Sequence, residues 1–261
     1  MHARITAAAL IVLSLVSCAP PSDSVMAVVP PGPVNAPAVT RPVSVVPPAG
    51  WHAVLVAGDN SSPAFDNGIE TLRDRLSTMG VRSIRSLSAD PSHLRGSALS
   101  SSTNVRDAIA GEGGEACLAY ITSHGEQRGF FLRPDRRIFT PASLDHALVA
   151  GCGAAPTVVV VSACHSGTFI NEQTRRPNRI IMAAAAIDRT SFGCGANDDY
   201  TYYDQCLLQT IDTVATWREL ALGTRACVER LERQLGIGPR DESRPQLFIG
   251  EAVANLRLPG R

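Results

Sequence analysis

The sequence predicts an α/β fold in which a mostly parallel sheet lies between two layers of helices. Two apolar runs rich in β-branched residues, 118–122 and 157–161, are typical of strands buried on both faces. Segments with helical spacing separate these and other strand-like runs, and such alternation favours a parallel sheet. Each of the two runs also ends in a reactive side chain followed closely by glycine. We therefore expect a three-layer sandwich with its chemistry at one edge of the sheet.

The first half of the chain supplies three of the predicted strands. The first covers 52–57, and an amphipathic helix follows over 64–79, where apolar residues recur at helical spacing until Gly80 stops it. The other elements predicted in this half are a strand over 81–87, a helix over 104–110 and the strand over 117–122.

The second half begins with a small hairpin over 129–139 that turns at Pro134 and Asp135. A helix over 140–150 starts with Thr140 as N-cap and Pro141 in the first position, two residues that favour helix starts. The remaining predicted elements are the strand over 157–161, a strand over 179–185, two helices within 203–234 that meet near 213–217, and a last short strand over 246–250.

Composition argues against several classes of function. The 261 residues carry 24 basic and 24 acidic side chains, with 5% aromatic residues and no basic run, so nothing indicates a nucleic-acid partner. No cysteine or histidine spacing indicates zinc, and no motif indicates a cofactor. Residues 51–261 have the length of one domain with a sizeable core.

The N-terminal segment indicates export. Residues 1–17 read as a signal peptide with an apolar run over 5–16, and residues 15–18 resemble the lipobox of bacterial lipoproteins, with cleavage before Cys18 and lipid on its sulfur. Ordinary signal cleavage is the alternative. Residues 18–50 hold half of the 18 prolines and predict a semi-rigid tether. We expect an exported, membrane-anchored lipoprotein at the periplasmic face of the outer membrane.

An exported protein can form disulfides, and seven cysteines are available. Setting aside Cys18 and Cys164 leaves five, an odd number, so at least one stays unpaired within the chain. Cys194 and Cys206 flank a polar loop and are the first candidate pair. The second pair consists of the cysteines near the starts of two key strands, Cys117 and Cys152.

His124 and Cys164 are the candidate catalytic residues, because each follows a buried strand directly. Neighbouring strands lie about 4.8 Å apart, so the two side chains are expected to meet at the sheet edge. A thiolate is a strong nucleophile and imidazole a suitable general acid. The alternative for Cys164 is a buried structural cysteine. We interpret His165 as a loop residue turned away from the thiol, and Asn60 as a turn residue rather than a support of the site.

The motifs 123–125 and 163–167, in this order, resemble those of the caspase-fold cysteine peptidases, which include caspases, metacaspases, gingipains and legumains. The later segments 183–203 and 244–250 resemble bacterial members of the legumain family. Metacaspases usually carry Asp two residues before the cysteine, where this chain has Ser162. The resemblance implies a caspase-like sandwich over 51–261 and an oxyanion hole formed by the backbone N–H groups of Gly125 and Cys164.

The same resemblance implies a cysteine endopeptidase that acts on peptide or protein substrates through an acyl-enzyme. Two alternatives stay open at this point. A transpeptidase or ligase passes the same acyl group to an amine instead of water. A catalytically silent lipoprotein uses the fold for binding only, since a fold alone does not establish an activity.

Legumain also implies a pocket for the residue before the cleaved bond, formed there by an arginine, a glutamate and an aspartate. The matching positions here are Asp66, Ser162 and Asp199, with Ser191 beside the last. Such a pocket has no cation and holds two carboxylates, which pair well with guanidinium or ammonium groups. We therefore expect Arg or Lys rather than Asn before the cleaved bond, unless Asp66 is merely an acid at a helix N-terminus.

Overall fold

The computed structural model describes residues 27–28, 42–93, 97–111 and 113–261. Its centre is a seven-stranded sheet in which all neighbours are parallel except the last pair, β10 and β11. In spatial order the strands are β11 (Gln246–Ile249), β10 (Arg179–Ala183), β9 (Thr157–Ser162), β5 (Ala116–Thr122), β2 (Trp51–Ala57), β3 (Ser83–Ser88) and β4 (Ser97–Leu99). The predicted mostly parallel sheet is confirmed.

Helices cover both faces of this sheet and complete a three-layer sandwich. Residues of α1, α4 and α5 share one hydrophobic core with one face of the sheet, while residues of α2 and α3 share a second core with the other face. The bounds of the helices are α1 Pro63–Thr78, α2 Ser102–Ala110, α3 Pro141–Cys152, α4 Tyr202–Thr210 and α5 Trp217–Gln234.

Strand β2 shows why the central strands read as continuous apolar runs. Ala53 and Leu55 point into the first core, and Val54 and Val56 point into the second. Successive side chains of a strand face opposite sides, so a strand covered by helices on both sides needs apolar residues at every position.

A smaller, four-stranded sheet packs beside the main one. It contains β1 (Ala27–Val28), β8 (Arg137–Phe139), β7 (Gly129–Leu132) and β6 (Gly125–Glu126) in that spatial order. Strands β7 and β8 form the predicted hairpin. The Phe130 ring stacks on Phe139 and on Phe169, with centroids 5.3 and 5.5 Å apart. Because Phe169 belongs to the short 3₁₀ helix Ser166–Phe169, the hairpin braces the loop that follows Cys164.

The folded part of the chain extends further toward the N-terminus than the predicted boundary at residue 51. The Val43 N–H donates to the carbonyl of Ala252 at 2.7 Å, the Arg257 N–H donates to the carbonyl of Ser44 at 2.8 Å, and Val46 is buried. The predicted signal peptide over 1–17, the lipidation site Cys18 and the tether up to residue 41 lie outside the described residues, except for the backbone at 27–28. No helix in the described ranges is long and apolar enough to cross a membrane.

The disulfides confirm one predicted pair and correct the other. Cys117 and Cys152 are bonded and join β5 to α3. The predicted pair of Cys194 with Cys206 is wrong, because Cys206 lies on the buried face of α4 and bonds to Cys227 of α5. Cys194 is disulfide-bonded as well, so the expectation that at least one of these five cysteines stays unpaired is wrong. Among the described residues, Cys164 is the one cysteine outside a disulfide.

Candidate active site

The two central strands deliver His124 and Cys164 to the same edge of the sheet. Strands β5 and β9 pair in parallel, with Thr122 directly beside Ser162. The Ser123 N–H then donates to the carbonyl of Ser162 at 3.1 Å, so the two chains leave the sheet in register. His124 and Cys164 each follow two residues after these paired strand ends, and both side chains are buried. The sequence-based placement of the pair at one sheet edge is what the topology produces.

Gly125 shows how tightly the two loops meet. A Cβ atom at this position would overlap the carbonyl oxygen of Cys164 and lie 2.9 Å from the Cβ of Ala163. Only glycine fits between the loops without moving the backbone. The residue after the imidazole therefore contacts the backbone of the nucleophile directly.

Ser191 surrounds the thiol of Cys164 with polar groups. Its backbone N–H points at Sγ from 3.3 Å, its hydroxyl lies 3.8 Å from Sγ, and its carbonyl oxygen lies 3.6 Å away. A thiolate is a hydrogen-bond acceptor, so the N–H and O–H donors favour the charged, nucleophilic form. Ser191 comes from the segment after β10, which brings a third strand end to the site.

His124 is held from the other side by the loop after β2. Its Nε2 lies 3.0 Å from the hydroxyl oxygen of Ser61, and the edge of its ring meets Phe65 with centroids 5.3 Å apart. Two residues before Ser61, the buried Asp59 accepts a hydrogen bond from Nε of Arg133 at 2.9 Å. Burial alone would raise the pKa of Asp59, but hydrogen bonds from Ser61 and Arg133 and the nearby His124 lower it overall.

Three of these residues, Asp59, Ser61 and Arg133, were not among the sequence-based candidates. The available signal was the position of 58–61 at the carboxyl end of β2, the strand next to β5. Asn60, which the sequence raised as a candidate support and which we interpreted as a turn residue, is exposed.

Comparison with known proteins agrees with this geometry. Residues 94–219 match the model of the Peptidase C13 family. This is the legumain family, which the sequence motifs resemble. Among solved structures, the fold is similar to that of caspase-1 from Spodoptera frugiperda, with a TM-score of 0.54 and 12% sequence identity over 84% of this chain and 92% of that one. No curated protein matches the sequence.

The fold is caspase-like, as the sequence predicted. The family match covers the His124 and Cys164 loops and reaches the start of α5. Together, the family match and the fold support a cysteine-type peptidase, a hydrolase of peptide bonds.

The four residues predicted to line a substrate pocket do not all come together. Ser191 contacts the nucleophile, and the buried Ser162 shares a hydrogen bond of 3.1 Å with the hydroxyl of Thr201. The Asp199 side chain is exposed, and its carbonyl accepts a hydrogen bond from Asn67.

The position of Asp66 differs from the one predicted for the pocket. Its carboxylate is buried and accepts a hydrogen bond of 2.6 Å from Ser88, at the end of β3. Strand β3 lies two places away from β5 in the sheet, on the far side of β2. The structure therefore does not bring Asp66 into one pocket with Ser162 and Asp199, and the pocket loses one of its two expected carboxylates.

Asp204 is a buried acid beneath the site that sequence reasoning missed. It lies on α4 and accepts a hydrogen bond of 2.7 Å from the hydroxyl of Thr122, the last residue of β5. Burial raises the pKa of Asp204 above its usual range, although the hydrogen bond from Thr122 favours the carboxylate. The Asp204 N–H donates to the hydroxyl of Thr201 at 3.0 Å, and this hydroxyl shares a hydrogen bond with Ser162, the last residue of β9. Asp204 is thus connected to the ends of both strands that carry His124 and Cys164.

His165 takes no part in this arrangement. Its backbone is left-handed, with φ 57°, and its Nδ1 lies 2.9 Å from the carbonyl oxygen of Ile187. The loop conformation, rather than the strand alternation that the sequence suggested, sets its direction. Within the described part of the chain, no group of three or more His, Cys, Asp or Glu side chains could hold a metal ion.

Proposed function

We propose that this protein is an exported cysteine endopeptidase that cleaves peptide bonds with Cys164 as the nucleophile and His124 as its acid–base partner. The observation that carries the proposal is the register of β5 and β9, whose paired ends lie two residues before His124 and Cys164. The Peptidase C13 match across both loops supports it.

Acylation begins with attack of the Cys164 thiolate on the carbonyl carbon of the substrate. The donors of Ser191 stabilise the thiolate before attack, and imidazolium at His124 balances its charge. As the tetrahedral intermediate collapses, the carbon–nitrogen bond breaks and His124 gives its proton to the departing amine. The product is a thioester between the substrate acyl group and Cys164.

Deacylation uses the same residues in reverse roles. Neutral His124 takes a proton from water, the resulting hydroxide attacks the thioester, and the thiolate of Cys164 leaves with the electrons of the carbon–sulfur bond. In the proposed oxyanion hole, the backbone N–H groups of Gly125 and Cys164 stabilise the negative oxygen in both steps. The close approach of Gly125 to Cys164 supports this assignment.

The experiment uses purified 42–261 and full-length protein with a panel of peptides that carry Arg, Lys, Asn or Asp before the scissile bond. We expect Cys164→Ala to abolish cleavage and His124→Ala to lower kcat/KM by about 10³-fold or more, as for other cooperating catalytic groups. His165→Ala is the matched control, because it changes the neighbouring imidazole. Normal cleavage by Cys164→Ala would refute the assignment, and transfer of the acyl group to added amines would identify a ligase.

We also propose that the protein is exported and anchored by lipid on Cys18. The disulfides Cys117–Cys152 and Cys206–Cys227 support an oxidising compartment. Several acyl chains hold a protein firmly, at about 0.8 kcal/mol per buried methylene. Mass spectrometry of the mature protein is expected to find a diacylglyceryl group on an N-terminal Cys18. Cys194 is disulfide-bonded, and the two pairs above together with the reduced Cys164 leave Cys18 as the remaining cysteine of this chain that could bond it. A lipidated sulfur cannot form a disulfide, so a peptide that links Cys18 to Cys194, or an unmodified N-terminus elsewhere, would contradict the anchor.

A further inference from the structure

The proline-rich tether contains one run that differs from the rest of its sequence. Pairs of prolines stand at 20–21 and 30–31, and no proline lies between them, where the sequence ends in the apolar run Val-Met-Ala-Val-Val at 25–29. Such residues favour strands, whereas proline is confined to strand edges and ends. The structure pairs Ala27–Val28, as β1, in parallel with Arg137 and Ile138 of β8. Part of this run is therefore a strand within the predicted tether.

Strand β8 offers β1 an edge that is otherwise open. On one side β8 pairs with β7, where Phe131 lies opposite Ile138, and β1 is its neighbour on the other side. Without β1, the outer N–H and C=O groups of β8 would form an unpaired strand edge, to which extended peptides add through main-chain hydrogen bonds. The outer edge of β8 thus has the backbone chemistry of a site that accepts a strand.

The length of chain between β1 and the catalytic domain favours an occupant from the same chain. Val43 is fixed to the domain because its N–H donates to the carbonyl of Ala252 at 2.7 Å. Val28 stands fifteen positions before Val43, and fifteen residues reach up to about 50 Å at about 3.3 Å per residue. A domain of about 220 residues has a radius of gyration of about 17 Å, so this length reaches the β8 edge from its own domain.

The hairpin of β7 and β8 contacts both catalytic loops. The Phe131 N–H donates to the carbonyl of His124 at 2.9 Å, and the Ser123 hydroxyl donates to the carbonyl of Phe131 at 2.6 Å. The aromatic stack of the hairpin on Phe169 braces the loop that follows Cys164. A strand added to β8 therefore stabilises the hairpin that holds the backbone on both sides of the catalytic pair.

We propose that the outer edge of β8 is a strand-acceptor site, that Ala27–Val28 of the same chain fills it, and that this docked strand activates the enzyme by stabilising the hairpin. The occupant that fits the site is an extended, proline-free apolar peptide that pairs in parallel through its main chain. The activating role rests on the proposed peptidase function, whereas the docking does not. Release of β1 lowers activity without a change in any catalytic residue.

Hydrogen exchange in the full-length protein tests the docking without any substrate. Of two consecutive strand residues, one directs its N–H toward the partner strand, so the double variant Ala27→Pro and Val28→Pro removes this donor whichever residue supplies it. We expect the amides over 136–139 to exchange about tenfold faster, since the loss of one hydrogen bond changes an equilibrium by up to about that factor. The amide of Phe131, which is bonded to His124, should exchange faster too.

The same double variant is assayed with the peptide panel. We expect kcat/KM to fall about tenfold, which is less than the effect of a displacement of about 1 Å in a catalytic site. The double variant Val34→Pro and Asn35→Pro is the matched control, because it adds two prolines to the tether between β1 and Val43. All three measurements should match the wild type in the control, and a control that behaves like the β1 variant would show that the prolines do not act through β1.

Each remaining outcome decides one part of the inference. Equal exchange over 136–139 in the wild type and the β1 variant would overturn the docking. Protection of these amides that falls when the wild type is diluted would place the strand of a second copy on the edge and overturn the assignment to the same chain. Faster exchange over 136–139 with unchanged Phe131 exchange and unchanged kcat/KM would overturn the activating role. Faster exchange in a protein whose wild type cleaves no peptide would refute only the peptidase proposal.

Discussion

At the residue scale, the contact between Gly125 and the loop of Cys164 is the most constrained feature of the site. A side chain at this position would meet the Cys164 carbonyl oxygen and the Ala163 side chain at the same time. Backbone cannot yield as a flexible side chain can, so any larger residue must push the His124 and Cys164 loops apart. The geometry of the catalytic pair thus depends on a residue that has no functional group.

We therefore expect Gly125→Ala to lower kcat/KM by about 10²-fold, the size of effect that a displacement of about 1 Å causes in a catalytic site. Gly238→Ala is the control, because no atom lies within 4 Å of the Cβ position there. Both variants are assayed with the best peptide of the panel and checked for folding by thermal unfolding. Equal rates for the two variants would show that the loops have more freedom than this contact allows.

Sequence patterns found the reactive residues but not the residues that orient them. His124 and Cys164 stand in short motifs that follow strong strand signals, so local reading is sufficient. Ser61 acquires its role through a contact with His124, 63 positions away, which no local pattern encodes. The pocket prediction for Asp66 depended on the exact position along the helix. At the start of α1, a shift of one residue changes the direction in which a side chain points. The carboxylate of Asp66 contacts Ser88, and the neighbouring Asn67 contacts the loop of Asp199.

At the element scale, the sequence predicted the elements that are long enough for their hydrophobic pattern to repeat. The helix over 64–79 corresponds to α1, and the break near 213–217 corresponds to the gap before α5, where Thr216 and Glu219 form a capping box. Strands β4 and β6 were missed because three and two residues carry no period. Both owe their strand conformation to pairing with β3 and β7.

The disulfide between α4 and α5 yields a prediction at this scale. It closes a loop with a sequence separation of 21 residues, for which the chain-entropy model gives about 3 kcal/mol. The double variant Cys206→Ser and Cys227→Ser should lose about that much free energy of unfolding in urea titrations. Non-reducing peptide maps of the wild type should contain the peptide that links Cys206 to Cys227. A peptide that links Cys194 to Cys206 would contradict the pairing.

At the scale of the whole molecule, some buried acids make the free energy of unfolding rise with pH, and others make it fall. Burial raises the pKa of Asp204 and of Glu232, so both favour the folded protein in their protonated forms and reduce its stability as pH rises above their unfolded values. Burial would likewise raise the pKa of Asp145, but hydrogen bonds from Arg176 and Arg179 lower it overall. The free energy of unfolding is therefore expected to be largest at a pH above the range in which Asp145 is protonated and below the range in which Asp204 and Glu232 ionise.

Asp145 is the buried acid whose protonation lowers the stability of the protein at low pH. Its carboxylate, on α3, lies 2.7 Å from the guanidinium of Arg176 and 2.6 Å from that of Arg179, which stands at the start of β10. The Arg176 side chain is 22% exposed, and the Arg179 side chain is 2% exposed. A lowered folded pKa means that the ion pairs stabilise fully above the unfolded pKa of about 3.9 and are lost as pH falls below it. Removal of one partner leaves Arg179 buried without its counter-ion.

We expect Asp145→Asn to lower the free energy of unfolding at neutral pH by about 3–5 kcal/mol, the cost of breaking a buried ion pair. The difference from the wild type should narrow as pH falls below about 4, because the carboxylate of the unfolded chain binds a proton there, and the folded carboxylate, with its lowered pKa, does so only at still lower pH. Asp74→Asn, which removes an exposed pair with Arg73, is the control and should cost at most about 1 kcal/mol. Urea titrations from pH 7 to pH 2 measure all three proteins. A difference between Asp145→Asn and the wild type that stays constant over this range would mean that the stabilisation does not come from the ionised carboxylate.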